Sequence, residues 1–527
     1  MSTPSADTAG APPIPGGIDP HVYQRRWAIL ATMCLSLVLI VATVSSVNVA
    51  IPSLAKSELT PTDTQILWIV DAYALVFAAL LLPAGALGDR FGRKGALLVG
   101  LVIFAAASAL SAVMTTPTGL ILTRAVMGIG AALIMPSTLS LLQSAFPPAE
   151  RAKAIAIWAG FAGAGGAIGP LMGGFLLEHF WYGSVFFVAV PIAAIAFVAS
   201  SILAPRSKEG AGAALDPFGS LLSIVGFGGL LFAIIEGPER GWGDALVVLG
   251  FVVAAVGLVG FVVYERRVAH PLLDMSYFGT PRFAMGALGI TFTFLGMFSM
   301  FFVLTQYLQY VKGYSPLGAG VRGLPFAATM IAVSPRSADL AAKFGVRRVV
   351  GIGMTVFTVG LVMLSLVEVG TSYLYVVVCL VIAAAGVAST MPSLSAGIVQ
   401  SVPMHKAGVG SAVNDTTREV GGAIGIAVVG TIVTSVYRDH LSPVLTQLPP
   451  ELAEVARDNV AKALAVADQG RAVVGDEQAD QLVQAVRESF VDGAHLGLRV
   501  AAAFVFVAAM VVVARVGTDD SYGARHH

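Results

Sequence analysis

Apolar residues run along this chain in blocks of about twenty, separated by short stretches that hold nearly all of its charge. Twenty helical residues extend roughly 30 Å, the thickness of a bilayer's hydrocarbon core. Blocks long and apolar enough to cross fall at 27–50, 65–87, 95–114, 119–144, 153–177, 184–204 and 217–235. The series continues at 245–264, 283–308, 318–342, 349–368, 373–397, 408–436 and 496–516. The pattern predicts an all-α polytopic membrane protein with fourteen transmembrane helices. One long connection, 438–495, lies between the last two spans. In it "PPELAEVARDNVAKALAVADQ" and "DEQADQLVQAVRESF" repeat apolar residues every three or four positions, which predicts two amphipathic helices resting on the membrane or capping that face.

Composition sharpens this picture. Of 527 residues 56% are hydrophobic and 12% charged, too little polar material to cover soluble domains. The two cysteines, Cys34 and Cys379, sit in apolar blocks and offer neither a disulfide framework nor a zinc spacing. No His/Asp/Glu cluster has ligand spacing, and no GxxxxGK[ST] loop is present, so an enzyme is not expected and energy must come from an ion gradient. No cofactor is expected beyond protons as the coupling ion, and no nucleic acid as partner. Residues 1–24 form a Pro/Gly/Ser-rich tail without the basic start of a signal peptide, and 517–527 form a second tail. Arg25/Arg26, Arg90/Arg93/Lys94, Arg151/Lys153, Arg206/Lys208, Arg266/Arg267 and Lys343/Arg347/Arg348 all fall on one side, while loops such as "TTPTG" and "EVGTSY" opposite them have no Lys or Arg. The positive-inside rule then puts both termini in the cytoplasm.

A repeat lies within the blocks. "LGDRFGRK" (Leu87–Lys94) resembles "LAAKFGVR" (Leu340–Arg347) at an offset of 253. "GGAIG" recurs at 165–169 and 421–425, and "GAALIMPS" (130–137) resembles "GVASTMPS" (386–393), both at an offset of 256. Each match moves eight spans along, which gives six plus two plus six. The divisions are a six-helix bundle over 25–206, two inserted helices over 207–270, and a second bundle over 271–516 that includes the outer loop. Two similar bundles about an axis normal to the membrane are the design of alternating-access transporters, with substrate between the halves.

On these features the chain resembles the major facilitator superfamily, specifically the fourteen-span drug:proton antiporters of the QacA and EmrB type. The resemblance covers nearly the whole chain outside the tails. It implies a proton-coupled multidrug efflux antiporter of the bacterial plasma membrane, exporting lipophilic and above all cationic compounds. Partners would be such small molecules, protons and membrane lipids, with the oligomeric state left open. Two rivals stand beside it: a dedicated exporter of one endogenous lipid, peptide or antibiotic, and a transport-inactive scaffold or sensor.

"GALGDRFGRKGALL" (Gly85–Leu98) matches the family's loop signature between spans 2 and 3. Glycines let this loop lie close to a neighbouring helix, where Asp89 can pair with Arg93 or with a helix N-terminus. Gly88, Asp89, Arg90, Gly92, Arg93 and Lys94 are therefore candidates for a conformational latch. The positive-inside rule alone accounts for the three cations but not for Asp89, and the second copy has Ala342 in its place, so the latch is one-sided. In "GFAGAGGAIGPLMGG", Gly165, Gly169 and Gly173 share a helical face that suits close packing, and Pro170 bends the helix. With Gly174 they match the family's antiporter signature, and that match, not the spacing, favours export.

A charge at the bilayer centre costs roughly 2.5–3.5 kcal/mol on insertion scales, so ionisable residues inside spans are functional candidates. Asp71 and Arg124 lie at matching depth in spans 2 and 4, where a pairing is feasible. Asp71 is the candidate site for a proton or cationic substrate, with Arg124 tuning it; a static ion pair is the plainer alternative. In span 13 Asp415, Arg418 and Glu419 share a face, two acids against one arginine. That deficit of positive charge suits a proton or a cation. Thr43 stands where relatives often have an acid in span 1. Glu236 is expected at the interface, and Arg336 with Asp339 as a structural pair. Phe294, Phe298, Phe301 and Phe302 with Met297 in span 9, and Trp68 and Tyr73 beside Asp71, are candidate substrate contacts; lipid-facing or interfacial packing explains the same pattern.

Overall fold

A chain in lipid must satisfy its own backbone N–H and C=O groups, so blocks this apolar are driven into helices. The computed structural model describes residues 18–206 (except 56 and 58), 215–446, 450–458 and 460–515; the tails expected before 18 and after 515 lie outside the described residues. Every regular element among the described residues is helical, and fourteen segments are long and apolar enough to cross a membrane. The first six are α1 (Pro20–Ala55), α2 (Asp63–Phe91), α3 (Arg93–Ala112), α4 (Pro117–Ala145), α5 (Pro148–His179) and the broken pair α6 (Ser184–Phe187) and α7 (Ala189–Leu203). Next come α8 (Pro217–Arg240) and α9 (Ala245–Glu265). The last six are α10 (Pro281–Gln306), the pair α11 (Pro316–Arg322) and α12 (Leu324–Phe344), α13 (Val346–Leu364), α14 (Tyr373–Gln400), α15 (Ala407–Leu445) and, after α16 (Pro450–Asp458) and α17 (Val460–Val474), α18 (Asp476–Arg515).

Neighbour relations repeat between the two ends of the chain. α1 packs on α5 as α10 packs on α15, α2 on α4 as α12 on α14, and α3 on α4 as α13 on α14. The seams use matching glycines. A Cβ on Gly130 would stand 2.9 Å from the Gly100 carbonyl and 2.8 Å from the Phe104 amide, and one on Gly386 would collide with the Gly353 carbonyl and the Phe357 amide. Likewise Gly169 presses on Ala42 and Ser45 of α1, as Gly425 presses on Leu295 and Ser299 of α10. Small residues at these points let helix backbones approach without a hydrophobic drive to bring them together. Between the two groups α5 meets α12, and α2 and α4 meet α15; α8 lies against both α2 and α15.

The outer loop differs from expectation. Its first amphipathic stretch forms α16 and α17, but its second is the beginning of α18, one continuous 40-residue helix. Leu482, Val486 and Phe490 of that stretch are buried against protein, not laid on a membrane surface. They pack where α17 and the extension of α15 meet α18, and His440 bonds Asp492 across 2.9 Å. An apolar stripe at helical spacing does not say whether lipid or protein covers it.

Candidate functional site

Span 13 supplies the central charges. Along α15, Gly421, Gly422 and Gly425 face Thr291, Phe298 and Leu295 of α10, which brings the two helices into close contact. One turn earlier Arg418 lies over the Phe294 ring at 4.7 Å and reaches toward Trp158 of α5 at 5.8 Å. The guanidinium is thus held between an aromatic from each end of the chain. Its Nη1 meets the Asp415 Oδ1 at 3.5 Å, and the amide of Asn414 donates to the same oxygen at 3.3 Å. Asp415 and Arg418 are 1% and 4% exposed, yet among the described residues Asp415 Oδ2 and Arg418 Nε have no hydrogen-bond partner. Glu419 is half-buried and within electrostatic reach of Tyr73 on α2. Two carboxylates therefore stand near one guanidinium, which among the described residues bonds Asp415 alone, and open acceptor positions remain for a proton or a cation.

Trp158 and Asn414 were not singled out by sequence. Trp158 is the one tryptophan of α5, fully buried, and its Nε1 donates to Thr138 at 3.2 Å.

The N-terminal acid is arranged differently from expectation. Arg124 is fully buried, but it donates to the backbone carbonyls of Ile69 at 2.9 Å and Val70 at 3.5 Å and lies 4.6 Å over the Tyr73 ring. No ion pair joins it to Asp71 among the described residues. The reason is local. Gly128, one turn on, presses against the Tyr73 carbonyl, so α4 lies too close to α2 for the guanidinium to bypass its backbone. Asp71 is half-buried beside α8, where Trp68 meets Phe232 at 6.1 Å between ring centroids. Glu236, near the end of α8, is buried and paired with Arg240. Arg124 thus braces two helices. Arg124→Lys keeps the charge but loses the planar fork. It should lower the melting temperature of the purified protein by the equivalent of about 1.5–3 kcal/mol, the value of a charged hydrogen bond. An unchanged melting curve would remove the bracing role.

At the basic face the expected loop is the last turn of α2 joined through Gly92 to α3, and its charges pair as expected. Gly85 and Gly408 meet backbone to backbone, a Cβ on Gly85 standing 2.6 Å from the Gly408 carbonyl. Asp89 accepts from the amides of Gly408 at 2.9 Å and Val409 at 3.1 Å, the first turn of α15, and from Arg93 Nε at 3.0 Å. Arg93 also donates to the Met404 carbonyl. Gly92 turns the chain at φ 108°, which other residues rarely adopt. Gly88 has only ordinary contacts, and Lys94 instead caps α7 through the carbonyls of Ser201 and Ala204 at 2.7 and 2.9 Å. Arg90 lies exposed beside Phe91.

α5 presents glycines on two faces. Gly165, Gly169 and Gly173 contact α1, within the first group. Gly160, Gly163 and Gly174 contact Ser334, Met330 and Leu317 of the second group, and Ser334 Oγ donates to the Ala156 carbonyl at 2.6 Å. Pro170 and Phe301 line a small cavity of about 30 Å³ on this seam, room for about one water. Phe298 touches Gly422, and Phe294 and Met297 are buried, so this side of α10 faces protein and not lipid. Arg336 turns back to the Ala332 carbonyl, and its expected pair with Asp339 does not form.

A family model described as Major Facilitator Superfamily matches residues 33–426. Over 489 residues the chain is 36% identical to the multidrug efflux pump LfrA of Mycolicibacterium smegmatis, covering 93% of this chain and 96% of that one. It is 32% identical to the tetracenomycin C resistance and export protein of Streptomyces glaucescens, over 93% and 91% of the two chains. Among solved structures an auto-inhibited POT family peptide transporter superposes with a TM-score of 0.60 at 15% identity, covering 96% of this chain and 97% of that one. At that identity the likeness is one of fold.

Proposed function

The chain belongs to the major facilitator superfamily, a family of membrane transporters and not enzymes, and we propose that it is a proton-coupled exporter of lipophilic, mainly cationic drugs working by alternating access. It is a multi-pass protein of the plasma membrane with a small-molecule cargo. In this reading the basic face is cytoplasmic, and both termini with it. The six-plus-two-plus-six division is supported by the matched neighbours and glycine contacts of the two ends, with α8 and α9 as the inserted pair.

The observation that carries the reading is the triad Asp415, Arg418 and Glu419 between Trp158 and Phe294. An aromatic-walled site short of one positive charge suits an organic cation or a proton, and competition between them is antiport. Asp71 is the second candidate carrier, and the Asp89 contact is the latch that holds the cytoplasmic side closed. The test is ethidium flux in proteoliposomes under an imposed pH gradient, with Asp71→Asn alongside. Gradient-driven flux that Asp71→Asn abolishes supports antiport with Asp71 essential; flux untouched by it assigns coupling to α15. A chain that moves no dye is not a multidrug exporter. The tetracenomycin C relative favours a dedicated antibiotic exporter as the second reading, which that last result would select.

A further inference from the structure

We propose that the second bundle carries a binding site for a phosphate-bearing anion on the basic face, separate from the transport seam. It is a cavity of about 580 Å³ among the start of α10, the α12–α13 turn and the last turns of α14. Arg282, Lys343, Arg347 and Arg348 line it, and among the described residues no Asp or Glu does. Ser393 lies at its inner end, about 10 Å below Gln400 at the mouth by helix rise.

Three further features point to an anion. Two long helices, α10 and α13, begin in the cavity wall, and neither has its first turn capped by a side chain. Thr280, at the head of α10, donates its hydroxyl to the Tyr277 carbonyl instead. Uncapped N–H groups at the positive end of a helix are ready-made donors to phosphate oxygens. Ser393, only 8% exposed, has no hydrogen-bond partner among the described residues. Its repeat counterpart, Ser137, donates to the Leu133 carbonyl at 2.7 Å.

The first bundle shows what the second lacks. There Asp89, in the last turn of α2, engages Arg93, Arg26 pairs with Glu150 at 2.7 Å, and Lys94 caps α7. In the second copy Ala342 replaces the acid, so the same loop contributes cations without an internal anion. The volume falls in the range of small-molecule pockets and exceeds a bare phosphate, which leaves room for the body that carries it. A membrane lipid headgroup and a soluble organophosphate share that chemistry, and basic pockets between helices at this face suit the former.

The full-length protein in phosphatidylcholine nanodiscs, with or without phosphatidylglycerol, is the system to test. Retained lipid is read by native mass spectrometry, and melting is followed with added pyrophosphate. Lys343→Gln/Arg347→Gln/Arg348→Gln should weaken phosphatidylglycerol retention by about a hundredfold. Ala342→Asp, which restores the acid with one mild change, should weaken it about fivefold and covers the case in which the triple variant fails to fold. Phosphatidylglycerol retention that pyrophosphate does not displace assigns a lipid headgroup. A pyrophosphate-induced rise in melting temperature, lost in the variants, assigns a soluble phosphate. Retention indifferent to both substitutions, together with no response to pyrophosphate, overturns the proposal.

Discussion

Asp89→Asn is expected to unlock the basic face. The carboxylate is buried, accepts from two backbone amides of α15 and holds Arg93, itself 2% exposed. An asparagine keeps one acceptor for Gly408 and Arg93, turns an NH₂ toward the Val409 amide that needs an acceptor, and removes the negative charge beside the buried guanidinium. Removing one partner of a buried pair costs about 3–5 kcal/mol. Because the contact joins two bundles, most of that cost falls on the closed state, shifting its equilibrium with the open one by about a hundredfold or more. Apart from the Asp89–Arg93 bond, contacts inside each bundle are untouched, so the protein should still fold. Spin labels at the exposed positions Phe91 and His405, on either side of the contact, would report a longer and broader distance distribution. An unchanged distribution would mean that the α5–α12 seam, not Asp89, keeps this face shut.

Glu419→Gln should abolish concentrative export while leaving exchange intact. Glutamine keeps the shape and removes the ionisable group. Asp415 already shares its Oδ1 with Arg418 and Asn414, whereas Glu419 has no ion pair among the described residues and is the freer carrier. The membrane potential supplies about 2.3 kcal/mol per charge per 100 mV, roughly a forty-fold concentration ratio. One proton exchanged for a monovalent cation is electroneutral and draws on the pH difference alone; two draw on both. Where one proton is exchanged per cation, losing its carrier therefore removes the whole drive. Dye accumulation under an imposed gradient should fall to the equilibration level, with counterflow of labelled against unlabelled dye preserved. Accumulation that persists would falsify the assignment to Glu419 and leave Asp71 or Asp415 as the coupling acid.

Much of this was legible in the chain. Fourteen apolar blocks became fourteen candidate spans because a bilayer admits few other solutions for such segments. Asp89 was readable because a lone acid among cations and glycines needs a compact partner, and a helix N-terminus is one. Arg124 was not, since spacing pairs it with Asp71 while a guanidinium can satisfy itself on carbonyls just as well. Of the two placements expected for the second amphipathic stretch, the membrane surface is not the one taken: its stripe is real, but the partner that covers it is another helix. Trp158 and Ser393 depend on what the fold places opposite them, which one-dimensional spacing does not carry.

The last span does not stop at the membrane. α18 runs 40 residues, roughly 60 Å, and its outer part is tied to α15 by the His440–Asp492 contact and by buried Leu482, Val486 and Phe490. The cap is therefore mechanically one piece with the second bundle. A tilt of about ten degrees about the basic face would swing its tip by about 10 Å, given that length. By geometry α18 is a lever arm: any tilt at the basic face is magnified at its far tip, and whatever grips that tip resists the tilt.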